Sequence, residues 1–414
     1  MELESGWQGP DYVVETQGLQ LTFYRIAEAR DGEHTAMLRV SLVAFPGRVD
    51  GDIFDSKVIL TGPVSKANVV KACFQRVTEW DQDDWYALIE RACQMVRHAI
   101  EEGNPPVDLG AVTVPAKLPW LMEPLFRDGE HAMIYGAGGS AKSLLALAAM
   151  TCIVSGTDYL GFPVRQAYPG LYLDYEDSWE THATRLQMIA AAYGIERPHF
   201  YHKEGTAPLP SMAPMLARMI AQEHIGFIVI DSVALACGSD PESADAANAY
   251  YRALKALGVR SSLSIAHHAH ADDSKPFGSI YWKNTMRNIW FVKVQRDDES
   301  ELHTGLFHRK ANNGPLLQPV GVQILFTDGG IMMQREDLRD VPGMIEELDA
   351  PIQIEQAIRE FTREHQRGPN RDQLRELLPS IKPASFRQSL KRLQDKRRIQ
   401  VRMGLFELVY TPSV

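Results

Sequence analysis

The sequence is poor in cysteine and has no apolar run of the length that a membrane-spanning helix needs. Four cysteines occur in 414 residues, and they stand far apart, at Cys73, Cys93, Cys152 and Cys237. This scatter lacks the close spacing of metal or disulfide sites and predicts reduced thiols in a folded core. The polar, acidic start also lacks the apolar segment of a signal peptide. We therefore expect a cytoplasmic protein with no membrane partner.

Positive charge is also scarce, except at the end of the chain. The whole sequence carries 43 Lys and Arg against 53 Asp and Glu, a net charge of −10. From Pro351 onward the balance reverses, with 13 basic against 7 acidic residues. A basic tail on an acidic body predicts a polyanionic partner for the tail, although net charge does not exclude a local basic channel in the body. The length predicts two or three domains.

The clearest motif is a glycine-rich turn between an apolar strand and an apolar helix. The strand includes Met133, and the helix is predicted to begin at Lys142. Small residues let backbone N–H groups close around phosphate oxygens, and a helix N-terminus is positively polarised. We predict that Lys142 reaches the β- and γ-phosphates of ATP and that the Ser143 hydroxyl binds Mg²⁺. The predicted nucleotide-binding residues of this turn are Gly136, Gly138, Gly139, Ser140, Ala141, Lys142, Ser143 and Leu144.

One position of this turn departs from the usual phosphate-loop pattern. Ala141 stands where the second glycine of G-x-x-x-x-G-K-[ST] belongs. If the position needs a positive φ, the methyl group costs about 1–2 kcal/mol; if it needs only a small residue, the cost is slight. The alternative is an ordinary Gly/Ser turn, but the strand–turn–helix context and the Lys142-Ser143 pair favour nucleotide binding.

Two further apolar strands end in carboxylates. The strand from Gly170 leads into Asp174 and Glu176, and either carboxylate would face the phosphates and activate the attacking water. The alternative is that these acids merely begin the next helix. The later strand ends at Asp231, a Walker-B-like acid whose carboxylate would hold Mg²⁺ through water. Ser143 and Asp231 are thus the predicted magnesium residues.

A histidine-rich run, His267 to Asp273, follows the next apolar strand. Its three histidines and two aspartates could bind a metal ion. A histidine at the tip of a strand beside the Asp231 strand could instead hydrogen-bond the γ-phosphate, which makes His267 and His268 candidate catalytic residues. A polar loop without function is the remaining alternative.

Strands and helices alternate through residues 118–340, which predicts an α/β core: a mostly parallel sheet with helices on both faces. Residues 1–117 have strand-like segments and an amphipathic helix over Asp84–Glu102, and they predict a small N-terminal α+β accessory domain. Its role, assembly or DNA contact, stays open. Residues 341–350 are predicted to be a linker.

The last segment, residues 351–414, predicts a separate module. Three helices are expected, over Ile352–His365, Asn370–Leu378 and Pro383–Lys396, followed by a β-hairpin that turns near Gly404 and reaches Tyr410. Three helices and a hairpin resemble a winged helix-turn-helix domain, which would bind duplex DNA.

The third of these helices carries the basic surface of the tail. Its apolar residues recur at spacings of four and three, so the remaining side chains point outward. Outward basic and polar side chains suit a DNA groove and its phosphates, whereas protein docking or a solvated basic face is the alternative. The predicted DNA-binding residues are Ser385, Arg387, Gln388, Lys391, Arg392, Lys396, Arg397 and Arg398.

Four segments occur in an order that is typical of a known family. They are Gly136–Ser143, Leu171–Asp177, Val229–Ser232 and Ala266–His268. Together they resemble the RecA-like ATPases of the plasmid RepA type, hexameric replicative helicases related to DnaB. The resemblance covers about half of the chain. It implies a RecA-like fold, ATP and Mg²⁺ as cofactors, and a homo-oligomeric ring that is hexameric, as in that family. It also implies a DNA helicase or translocase with single-stranded DNA in the motor.

The resemblance further assigns roles to individual residues. It implies Glu176 as the catalytic glutamate and His267 or His268 as the γ-phosphate sensor. Arg287 and Lys310 match positions that reach into the neighbouring subunit's ATP in such rings, where a cation stabilises transition-state charge. Surface cations on loops beside the strands are the alternative for these two residues.

Other functions remain open at this point, because recombinases and clock-type ATPases share the same core. One is a DNA-dependent ATPase that loads or regulates replication or recombination factors without unwinding. Another is a nucleotide-gated DNA-binding protein with negligible turnover. ATPase activity with and without single-stranded DNA would discriminate among them.

Overall fold

The computed structural model describes residues 3–8, 10–28, 32–103, 108–112, 117–196, 198–269, 272–296 and 300–409. Of residues 272–274 it describes the backbone alone. The described parts pack around four hydrophobic clusters: one near the N-terminus, two on the faces of a central sheet, and one near the C-terminus. No helix in these parts has both the length and the apolar character needed to cross a membrane.

The N-terminal region is an antiparallel sheet covered by two helices. Its strands follow chain order and are β1 (Glu4–Gln8), β2 (Asp11–Thr16), β3 (Leu19–Glu28), β4 (His34–Leu42) and β5 (Gly51–Ile59). The helices are α1 (Pro63–Arg76) and α2 (Gln82–Glu102). Helix α2 begins two residues before the predicted start because the Asp81 carboxylate accepts the Asp84 N–H, at 2.8 Å, and caps it. The region meets the rest of the chain where Asp11 lies 3.6 Å from Arg218.

The central sheet has a parallel part and an antiparallel part. Its order is β10-β9-β11-β12-β8-β14-β15-β16-β17, parallel from β10 to β14 and antiparallel from β14 to β17. The strands are β8 (His131–Gly136), β9 (Gly170–Asp174), β10 (Tyr201–Glu204), β11 (Phe227–Asp231), β12 (Ser261–Ala269), β14 (Asn288–Arg296), β15 (Glu301–Ala311), β16 (Val320–Thr327) and β17 (Gly330–Glu336). A short ribbon of β6 (Trp120–Met122) and β7 (Phe126–Arg127) precedes them, and β13 (Asp272–Pro276) pairs with β12.

Helices cover both faces of this sheet, so the predicted α/β fold class is confirmed. One face carries α3 (Lys142–Ser155) and α4 (Trp179–Tyr193). The other carries α5 (Leu209–Gln222), with α6 (Val233–Ala236), α7 (Ala244–Ala256) and α8 (Ile280–Thr285). Helix α3 is apolar nearly all round and correspondingly buried, which fixes the glycine-rich turn before it against the sheet.

The segment predicted as a linker, 341–350, differs from that expectation. Two 3₁₀ turns, Leu338–Asp340 and Pro342–Glu347, follow the last strand of the sheet. Met344 is fully buried and Leu348 is 6% exposed, both in the hydrophobic cluster of the central sheet. Most of this segment is therefore part of the central domain and not a linker, because its apolar residues pack against the sheet.

The C-terminal region has the predicted three helices and hairpin. They are α9 (Ala350–His365), α10 (Arg371–Leu377), α11 (Pro383–Asp395), β18 (Ile399–Arg402) and β19 (Leu405–Leu408). Helix α9 begins two residues before the expected start, and α11 ends one residue early. The hairpin turns through Met403 and Gly404, both with positive φ, as a tight two-residue turn requires. The expected continuation to Tyr410 lies outside the described residues.

Candidate functional site

The carboxyl ends of four neighbouring parallel strands meet at one edge of the central sheet. In the pairing register Asp231 stands opposite Asp174, and His267 stands opposite Gly136. Strand β12 lies between the β8 strand of the turn and the β11 strand of Asp231. The turn, two carboxylates and a histidine that are distant in sequence therefore come together at one edge, where ligands of such sheets bind.

The glycine-rich turn is held closely against strand β14. A Cβ at Gly136 would lie 2.2 Å from the Val292 carbonyl oxygen, so only glycine fits there. The Lys142 ammonium, 6% exposed, donates to the Gly136 and Ala137 carbonyls at 3.2 and 2.7 Å and to the Ser140 hydroxyl at 3.3 Å. Burial lowers the pKa of Lys142, while Asp231 and Glu176 partly offset that shift. The cation thus lies inside the turn that would bind phosphate.

Ala141 adopts the left-handed conformation that glycine occupies most easily. Its φ is 62° and its ψ is 17°, and it is the residue immediately before α3. The methyl group in this conformation therefore costs about 1–2 kcal/mol, the value expected for a residue with a positive φ. The backbone still makes the turn, since Leu145 N–H donates to the Ala141 carbonyl at 2.9 Å and continues the helix.

Asp231 and Ser143 form the oxygen-rich centre of the site. Asp231 is 3% exposed, and the Tyr172 hydroxyl donates to its Oδ2 at 3.0 Å. Burial raises the pKa of Asp231 to about 6, against hydrogen bonds from Ser143 and Tyr172 that lower it. A carboxylate and a hydroxyl in contact offer the oxygen ligands that Mg²⁺ prefers. The residues predicted for magnesium therefore fit that ion.

The two candidate general bases have different surroundings. Asp174 is 1% exposed; its Oδ1 accepts the backbone N–H groups of Glu176 and Asp177 at 2.7 and 3.1 Å, and its Oδ2 pairs with His182. The Glu176 carboxylate is 42% exposed, lines the pocket and lies 3.8 Å from His267 Nε2. Because the oxygens of Asp174 are already engaged, the geometry favours Glu176 as the base and leaves Asp174 to orient the loop.

The two candidate sensor histidines also have different surroundings. His267 lines the pocket beside Glu176, whereas His268 Nδ1 bonds to the Ala269 carbonyl, at 2.8 Å. His270 and the side chains of Asp272 and Asp273 lie outside the described residues. Among the residues that are described, this run contributes no group of three ligand atoms placed to hold a metal ion.

The site is a pocket of about 340 Å³ that contains residues the sequence did not indicate. Arg296 Nη2 donates to the Gly139 carbonyl at 3.0 Å, and Arg185 pairs with Asp177 at 3.0 Å. Three apolar residues from the antiparallel strands complete the wall, Leu302, Phe326 and Ile331. They give the pocket an apolar part suited to a base or sugar and a polar part suited to phosphates. Their contribution depends on strand order, which no local motif reveals.

Arg287 and Lys310 lie outside this pocket, at the amino end of strand β14. Arg287 is exposed, and its backbone N–H donates to the His131 carbonyl, at 3.1 Å. The Lys310 ammonium donates to the Lys283, Asn284 and Met286 carbonyls at 2.6, 3.1 and 2.7 Å, so it caps the end of α8. Burial lowers the pKa of Lys310, and Arg287 adds to the shift. Neither side chain lines the pocket of its own chain.

The predicted DNA-binding residues are exposed on and after α11. The helix buries Phe386, Ser389, Leu390 and Leu393, and the predicted DNA-binding side chains lie on its opposite, exposed side. Arg398 pairs with Glu355 at 3.0 Å, and Arg387 Nε donates to the Pro383 carbonyl at 3.3 Å. The exposed set is Ser385, Arg387, Gln388, Lys391, Arg392, Lys396, Arg397 and Arg398.

Comparisons with known proteins bear on the core alone. No curated protein matches the chain in sequence. Among solved structures, a KaiC-like protein from the hyperthermophilic archaeon Pyrococcus horikoshii OT3 aligns with 54% of this chain and 98% of its own, at 15% identity and a TM-score of 0.36, a similarity too low to carry weight. Residues 102–273 match the family described as AAA domain. That match spans the glycine-rich turn, both carboxylate strands and His267, and together with their geometry it supports a P-loop ATPase.

Proposed function

We propose that the protein is an ATP-dependent DNA helicase or translocase that works as a homo-oligomeric ring, hexameric by family resemblance, in the replication of a plasmid, phage or other mobile element. The observation that carries the proposal is the combination, on one chain, of a glycine-rich turn beside the exposed Glu176 carboxylate and a separate basic helix surface. ATP hydrolysis and DNA binding would then be coupled within one molecule.

The geometry of the pocket indicates how ATP would be hydrolysed. Lys142 would exchange its carbonyl partners in the turn for phosphate oxygens, which carry full charge and bind an ammonium more strongly. Glu176 would accept a proton from the attacking water, with His267 beside it to contact the γ-phosphate. Mg²⁺, held by Ser143 and Asp231, would neutralise charge on the phosphates.

The position of Arg287 supports the ring. The side chain is exposed at the sheet edge opposite the turn, so it reaches an ATP molecule only if that ATP belongs to another subunit. A cation supplied in this way stabilises the transition state and makes hydrolysis depend on assembly. Lys310 would have to leave the α8 carbonyls before doing the same, so we assign the larger role to Arg287.

Mixed subunits test the ring. Arg287→Ala should bind ATP normally and hydrolyse it about 10³-fold more slowly, since the lost charge belongs to the neighbour's site. Lys142→Ala has the opposite defect, so mixing the two inactive variants should restore activity at junctions of an intact turn with an intact arginine. Arg252→Ala, which removes an exposed arginine of α7, is the control and should hydrolyse ATP normally. No recovery, with subunit exchange shown independently, would refute a role in trans.

DNA dependence tests the activity itself. Single-stranded DNA should raise the ATPase rate, and a forked duplex should be unwound only with hydrolysable ATP. Stimulation by DNA without unwinding or movement would favour the loader ATPase. Negligible turnover with intact nucleotide and DNA binding would favour the nucleotide-gated binding protein, which the left-handed Ala141 makes a specific alternative.

The tail can be tested by removing the same number of positive charges from two different helices. Arg387→Gln with Arg392→Gln should weaken duplex binding and lower its salt dependence, because both side chains lie on the exposed surface of α11. The matched control, Arg359→Gln with Arg363→Gln, removes the same charge from α9 and should have little effect. Equal effects of the two pairs would indicate that only net charge matters.

A further inference from the structure

Three potential metal ligands lie together behind the loop that carries Glu176. Side chains alternate along parallel strands, so Tyr172 and Asp174 of β9 face the same side as His202 of neighbouring β10. Helix α4 covers that side and brings in His182. One ligand atom from each of Asp174, His182 and His202 lies within 4.8 Å of the other two.

The hydrogen bonding of this cluster is incomplete. Asp174 and His182 are 1% and 4% exposed, and they pair with each other. In the described part of the chain, His182 Nδ1 and His202 Nε2 are buried and have no hydrogen-bond partner. Buried polar atoms in native proteins almost always have a partner, so two such nitrogens in one cluster point to a missing ligand.

We infer that Asp174, His182 and His202 form a binding site for a divalent transition-metal ion of the Zn²⁺ type, distinct from the Mg²⁺ position at Ser143 and Asp231. Two imidazole nitrogens and one carboxylate oxygen are ligands that Zn²⁺ accepts, with a water completing four-coordination. Mg²⁺ prefers oxygen ligands and would compete poorly. The inference does not depend on helicase or ATPase activity.

The ion would position the catalytic loop. Asp174 holds the Glu176 and Asp177 amides through Oδ1, while its Oδ2 pairs with His182. A metal bond would fix the carboxylate more firmly than a single imidazole does, and the loop with it. Slower hydrogen exchange at the Glu176 and Asp177 amides in the presence of Zn²⁺ is the expected result, and no change would refute this positioning role.

The test of the site is metal binding by the full chain, with Zn²⁺ as the probe. Protein is stripped with a chelator, dialysed, and titrated in competition with a chromophoric chelator; the expected result is one tight site per chain that excess Mg²⁺ does not displace. Co²⁺ in the same site should give visible absorption from a nitrogen–oxygen ligand set. A wild-type chain that binds neither ion at one per chain would overturn the inference.

Variants identify the ligands. His202→Ala and the conservative His202→Gln should each weaken Zn²⁺ binding by at least about 100-fold, the upper range for loss of a supporting partner. His202 is only partly buried on a strand at the sheet edge, so both variants should fold. His199→Gln, an exposed neighbour, and His268→Gln, from the histidine-rich run, are the controls and should bind as the wild type does. Loss of binding in His268→Gln but not in the His202 variants would overturn the assignment.

Discussion

Replacing Ala141 by glycine should stabilise the protein. In the wild type the alanine is held at φ 62°, ψ 17°, where its Cβ approaches the following carbonyl group and costs about 1–2 kcal/mol. Glycine removes that cost but is more flexible in the unfolded chain, which offsets about 0.5–1 kcal/mol. The net expectation for Ala141→Gly is a free energy of unfolding higher by about 0.5–1 kcal/mol.

The assay is urea denaturation of the full chain without nucleotide, followed by tryptophan fluorescence, because Trp282 and Trp290 are fully buried in the core. Ala137→Gly is the matched control: the residue lies in the same turn and its φ is not positive, so glycine there should lower stability. ATP-analogue affinity of Ala141→Gly should change little, since Ala141 already adopts the left-handed conformation that the glycine would occupy. A destabilised Ala141→Gly, similar to Ala137→Gly, would refute the strain argument.

Three further predictions concern the pocket. Lys142→Ala should abolish ATP hydrolysis, because Arg185 and Arg296 are bonded elsewhere in the pocket, and normal turnover by a folded variant would contradict the site. Glu176→Gln should bind ATP and lose most hydrolysis, whereas normal turnover by this variant would exclude it as the base. Without Mg²⁺, folding raises the pKa of Asp231 to about 6, so the folded state binds a proton more tightly than the unfolded state does. This contribution to stability is present at low pH and is lost as the pH rises through about 6. From pH 7 to pH 5 the free energy of unfolding of the wild type, measured by urea titration, should therefore rise by about 1 kcal/mol relative to that of Asp231→Asn.

The parts of the fold that could be predicted are those that short-range patterns determine. The helix of the glycine-rich turn begins at Lys142, as expected, because Gly138 and Gly139 allow the turn and an apolar run follows. Apolar strands that end at Asp174 and Asp231 run parallel in one sheet, and that direction follows from the alternation of strands and helices. The roles proposed for these residues remain predictions.

Helix α1 shows why another part could not be predicted. Its buried face consists of Lys66, Val69, Val70 and Cys73, so a charged residue interrupts the apolar pattern. The lysine is only 6% exposed because its ammonium pairs with Glu90 of α2, a contact between separate helices. Local periodicity counts such a lysine as a surface residue, and the helix is missed.

The site contains similar long-range dependences. Arg296 reaches the Gly139 carbonyl because β14 lies beside β8, and Phe326 lines the pocket because two antiparallel strands extend the sheet further. Lys310 matches a family position by sequence, but only the packed structure shows that its ammonium holds the end of α8. Such contacts depend on sheet order, which short motifs do not specify.

The burial of all four native thiols makes the protein a suitable carrier for site-specific probes. Burial raises the pKa of Cys73, Cys93 and Cys152 to about 12, so a maleimide at neutral pH should react far more slowly with these than with an exposed thiol. A cysteine introduced at exposed His224 would stand before β11, at the sheet edge opposite the turn. A fluorophore attached there would report distances between the subunits of the proposed ring while the pocket stays unmodified.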